Sequence, residues 1–137
     1  MPANTNPIFK AIPRTEAVAL ANANGTTSVL LFAADTKNGS IIEAIGATTT
    51  DTSAVEIDLT LFDGTNSFPL GSATIPVGAG TNGGTTPAVD VLNATDLPWL
   101  RSDLILILAA GWSLKVAAHA AITSGKVATV FALGGDY

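Results

Sequence analysis

The chain has 137 residues, no cysteine, a formal net charge of -5 and a charged share of only 12%. The missing cysteines exclude disulfides and thiolate metal sites. Six basic residues scattered along an acidic chain exclude the clustered Lys and Arg that neutralise nucleic-acid phosphates.

Residues 1–13 carry Pro2, Pro7 and Pro13 among Asn and Thr, which favours an extended arm over a helix or central strand. Its apolar Ile8, Phe9 and Ile12 need a surface to dock on, either their own domain or a neighbour, and are the candidate partner-binding residues. The opening MPANTNPIF lacks the basic and apolar regions of a secretory signal.

The remainder, 14–137, reads as one domain built from short β-branched or alternating runs. EAVALANA, TTSVLLFAA and SIIEAIGATT come first, separated by the turn dipeptides Asn24-Gly25 and Asn38-Gly39. The clearest strand follows. In AVEIDLTLF, Val55, Ile57, Leu59 and Leu61 face one way and Glu56, Asp58 and Thr60 the other. Beyond Asp63-Gly64 come SFPLGSATIPV, TPAVDVL, DLILIL, WSLKVAAHAAI and, after Ser124-Gly125, KVATVFAL. About eight strands at this spacing predict an all-β, single-domain sandwich of the jelly-roll kind. One helical turn is expected in NATDLPWLRSD, capped by Thr95 or Asp96. The apolar run from Leu104 to Ile122 is broken by Gly111, Ser113, Lys115 and His119, so no membrane span is expected.

Gly78, Gly80 and Gly83 satisfy G-x-G-x-x-G, but a dinucleotide turn must open a helix, whose N-terminus holds the pyrophosphate. The chain continues TTPAVDV, which starts no helix, so these glycines predict a loop. His119 is the only histidine, and no nucleophile-elbow pattern accompanies it. Glu56 and Asp58 sit side by side on the polar side of their strand, the ordinary place for solvated acids. Asp63 and Asn66 fall short of a calcium loop and predict a turn. Trp99 and Trp112 bracket DLILIL; a sugar platform would want them exposed, a core edge would not. No catalytic residue, cofactor or metal site is therefore expected, and the chain is not expected to be an enzyme.

A surface so poor in charge, against about 25% in ordinary domains, is suited to being covered by partner subunits. The Pro-rich NTNPIF, the strands GTTSVLLFAA and SIIEAIGATTT, the turn DLPWL, the hairpin LILILAAGWSLKVAA and the closing VFALGGDY together resemble the small structural proteins that decorate tailed-bacteriophage heads. That resemblance implies a non-enzymatic β-sandwich located on the virion capsid surface and made in the host cytoplasm. It would bind the major capsid protein lattice as a homo-oligomer, often a trimer, and cement it; the acidic charge and the broken apolar run predict no nucleic-acid or membrane partner. The alternatives are a carbohydrate-binding sandwich module and a tail- or fibre-associated virion protein.

Overall fold

The computed structural model describes residues 9–137. Among these residues nine strands occur in chain order: β1 (Ile12–Ala21), β2 (Val29–Ala33), β3 (Ser40–Thr49), β4 (Val55–Phe62), β5 (Ser67–Ile75), β6 (Val89–Asp90), β7 (Leu106–Leu108), β8 (Ser113–Ala118) and β9 (Val127–Asp136). They form two antiparallel sheets, making the domain a β-sandwich. The first runs β1-β9-β3, with β6 and β7 both paired to β3; the second runs β2-β8-β4-β5. Because β6 meets Gly46–Ala47 and β7 meets Ser40–Ile42, the two short strands share one place beside β3. Nine strands thus fill eight lateral positions.

The pairing is nested. The first strand pairs with the last, β2 with β8, β3 with β6 and β7, and β4 with β5 as the closing hairpin. The inward faces are largely apolar, and β4 shows the alternation that makes them so, while bulges interrupt it in β2, β3 and β5. In β4, Val55, Ile57 and Leu59 are buried and Leu61 is half-buried, while Glu56 is exposed. Leu20, Phe32, Ile45, Leu114 and Val130 meet them between the sheets, each removed completely from solvent. Burial of such side chains contributes about 1.5–3 kcal/mol apiece.

Strand β1 starts at Ile12, so the last two residues of the expected arm belong to the sandwich and pair with Asp136 and Gly135. Pro13 is tolerated there because β1 is an edge strand, where a missing N–H breaks no interior ladder. Ile8 lies outside the described residues. The four turn dipeptides all sit between strands, and Gly25, Gly39, Gly64 and Gly125 have φ of 55°, 77°, 101° and 80°. Asp63 accepts hydrogen bonds from the N–H groups of Thr65 and Asn66, which fixes the expected turn.

The expected helical turn in NATDLPWLRSD forms as hydrogen-bonded turns without a helix. Asn93 caps it instead of Thr95 or Asp96, its side-chain oxygen accepting from both of their N–H groups. A 3-10 turn at Asn22–Asn24 appears instead. The apolar run from Leu104 divides into β7 and β8, and among the described residues no helix is long and apolar enough to cross a membrane.

Candidate functional site

The outer faces of the two sheets differ in chemistry. On the first sheet, the outward rows that cross β1, β9 and β3 are Thr15–Leu133–Ala44, Ala17–Phe131–Gly46 and Ala19–Thr129–Thr48. These paired rows themselves hold no ionisable group, although the exposed Glu43 of the β3 bulge, next to Ala44, forms an ion pair with Lys10 at their border. Toward one end they continue into Ile41 and Ile107, which are opposite one another. Ile107 is 55% exposed and Leu133 43%, so the apolar surface is open to contact. Phe9, 76% exposed, borders it beside Ile41, whereas Ile12, 60% exposed, is in register with Asp136 and Ser40 and points to the other side of β1. The Ala11 N–H donates to the Asp136 carbonyl, which keeps this entry segment beside β9. Two of the three expected partner-binding residues are therefore exposed. Neither Ile107 nor Leu133 was singled out by sequence reasoning, because only the pairing of β3 with β7 and β9 puts them on one face.

The outer face of the second sheet carries its charges at the middle of the strands. Glu56 and Asp58 project from β4, Lys115 from β8, and His119 follows the end of β8. The backbone N–H of His119 donates to the Glu56 carbonyl, and its Nδ1 lies 2.9 Å from Asp58 Oδ2. The sequence separates His119 from Asp58 by 61 residues, so no local motif could have joined them. Hydrogen bonding to Asp58, its charge and then that of Glu56 raise the His119 pKa above the ordinary imidazole value.

Ser72 completes the contacts by donating its hydroxyl to Asp58 Oδ1 at 2.6 Å. Serine, aspartate and histidine are thus connected, but in the wrong order for a hydrolase. A triad needs the imidazole between hydroxyl and carboxylate, so that it can take the hydroxyl proton. Here the carboxylate is in the middle and Ser72 is not activated.

At one end of the sandwich, the buried Asp51 ties three loops together. Its carboxylate accepts the N–H and hydroxyl of Thr123, at 3.0 and 2.8 Å, and the N–H of Ser53 at 3.1 Å. Its carbonyl accepts the Gly78 N–H. Those hydrogen bonds hold the Asp51 carboxyl below the usual carboxylate range. The glycines at 78, 80 and 83 have φ of 65°, 72° and 68° in the loop between β5 and β6. No helix follows them, so the backbone cradle of a dinucleotide site is not built.

The two tryptophans occupy different surroundings. Trp99 is partly exposed, but its Nε1 donates to the Leu70 carbonyl. Trp112 stacks on Phe68 with ring centroids 6.0 Å apart, and beside it the Lys115 ammonium lies over the Phe62 ring.

No protein-family model and no curated protein matches the sequence. Among solved structures, the chain is similar to a chain of the cyanophage Pam1 capsid asymmetric unit, with 11% identity and a TM-score of 0.47 over 100% of this chain and 94% of that one.

Proposed function

We propose that the chain is a non-enzymatic structural protein of a tailed-phage virion, a decoration protein that binds the head lattice as a symmetric oligomer and stabilises it. The observation that carries this reading is the outer face of the first sheet, where Phe131, Leu133, Ile41 and Ile107 lie among small residues and the Lys10–Glu43 ion pair stands at the border. Such a face favours contact with another protein, since interface cores are depleted in charge. The nested pairing supports a jelly roll, a winding in which the first and last described strands, β1 and β9, meet. The exposed Phe9, which precedes β1, adds contact area beyond the sandwich. Weak single contacts then suffice, because many copies on a lattice act at high effective concentration.

Mass spectrometry of purified particles tests the location, and sedimentation with undecorated capsids tests the docking. Leu133→Glu and Ile107→Lys should each abolish co-sedimentation while leaving the circular-dichroism spectrum unchanged. Absence from virions, or undiminished binding by both variants, would overturn the reading.

Carbohydrate binding is favoured by one observation, the Phe68–Trp112 stack beside Phe62 and Lys115. Stacked rings are natural platforms for sugar faces. A glycan array distinguishes the two readings: saturable binding that Trp112→Ala removes would support the second.

A further inference from the structure

We propose that the outer face of the second sheet binds a divalent cation of the zinc class through Glu56, Asp58 and His119. One ligand atom from each side chain lies within 4.8 Å of the other two. The scaffold is rigid, because Glu56 and Asp58 are alternate residues of β4 and the ladder to β8 continues through the His119 N–H to the Glu56 carbonyl. Zinc bonds to nitrogen and oxygen are about 2.0–2.2 Å long, which places adjacent ligand atoms roughly 3–3.5 Å apart. The 2.9 Å between His119 Nδ1 and Asp58 Oδ2 is already close to that spacing. Glu56 is exposed, and rotation of its side chain closes the rest.

The donor chemistry selects the ion. One imidazole with two carboxylates and no thiolate suits zinc, nickel or copper, whereas calcium wants six to eight oxygens. Ser72 orients the set from outside: its hydroxyl holds Asp58 Oδ1 and leaves Oδ2 directed at the imidazole. The Lys115 ammonium, on the same face, is placed over the Phe62 ring, 3.7 Å from its centroid. Beside the cluster opens a depression of about 340 Å³ lined by Ser53, Ala54, Glu56, His119 and Ala120, with room for water as the remaining ligands. Binding at Nδ1 replaces the proton shared with Asp58, which leaves to solvent.

Calorimetric titration of the metal-stripped full chain with zinc chloride near neutral pH tests this, read together with the ring signals of the single histidine by NMR. The expected result is saturable binding of a single ion per chain with a displaced His119 ring signal. His119→Ala and Asp58→Asn should each weaken binding by about tenfold or more, and Ser72→Ala by about tenfold, as outer-shell losses do. Glu43→Gln, an exposed acid at the β3 bulge, should leave it unchanged. Circular dichroism verifies that each variant is folded. Absence of heat and of ring displacement would overturn the proposal, and so would binding that His119→Ala leaves undiminished.

Discussion

The ring of Phe131 lies across Gly46, its directly opposite partner in the β3–β9 ladder, and fills the volume that a Cβ at Gly46 would need. The glycine is thereby covered and the aromatic ring is held flat against the sheet, a cross-strand pairing that restores packing lost where a side chain is missing. This contact keeps the proposed docking face level, since a ring standing away from the sheet would hold a partner off.

Gly46→Ala should therefore tilt Phe131 outward, with a stability loss of about 1–3 kcal/mol from overpacking. Docking to capsids should weaken more than stability does. Urea unfolding and co-sedimentation, measured on the same variant, separate the effects. Unchanged values for both would mean that the ring moves aside freely.

The alternation of β4 gives a second contrast. Ile57 is fully buried and Glu56, one residue away, is exposed. Ile57→Ala should cost about 2–5 kcal/mol, because the transfer loss and a residual cavity add. Glu56→Ala should leave the unfolding midpoint nearly unchanged. Equal losses would contradict the observed register, which a slip of one residue would invert.

That strand also marks how far the sequence could be read. Period-two alternation in AVEIDLTLF fixes which side is buried, and Asn-Gly, Asp-Gly and Ser-Gly dipeptides locate turns because they accept positive φ at little cost. Both signals are local. The pairings of β1 with β9 and of β3 with β7 join segments distant in sequence and have no local signature. The face that carries Ile107 and Leu133, and the meeting of His119 with Asp58, therefore became visible only with the ladder. Ile12 and Pro13 show the converse error: proline composition suggested an arm, but an edge strand accommodates Pro13 without losing an interior hydrogen bond.

The carboxylates define a pH dependence with a clear sign. Backbone N–H groups of Asn38 and Lys37 depress the Asp35 pKa, those of Asn66 and Thr65 depress Asp63, and Thr123 depresses Asp51. A group with a lowered folded pKa contributes stability above its unfolded value, about 3.9, and loses it as pH falls through the folded value. Stability should thus decline below about pH 4. Asp51→Asn should flatten the acid limb. His119 acts in the opposite sense: its raised pKa gives stability that is full below the unfolded value of about 6.5 and is lost as pH rises through the folded one. Its side chain is 61% exposed, so solvent screening makes this contribution the smaller. Thermal melts across pH that show an acid limb equally steep in Asp51→Asn would refute its assigned share.

Arg14 connects the two sheets at their β1 and β2 edges, and its replacement is the most direct test of how that side of the sandwich is closed. From β1 its guanidinium reaches the Ala33 carbonyl at the end of β2, bonds Glu16 at 2.6 Å and Asp136 at 3.1 Å, and lies 4.3 Å from the centre of the buried Phe32 ring. Asp136 also accepts the Ser40 hydroxyl, which in turn accepts the Asp35 N–H, so the arginine anchors a chain of polar contacts at the end of the core. Its side chain is only 22% exposed. Arg14→Ala leaves these acceptors without their charged donor and uncovers Phe32, for an expected loss of about 1.5–3 kcal/mol. Lysine keeps the charge but cannot fork between Glu16, Asp136 and Ala33 or lie flat on the ring. Arg14→Lys should therefore recover less than half of the loss in urea unfolding. Full recovery by lysine would show that charge alone closes the edge, and the planar fork would then have no structural part.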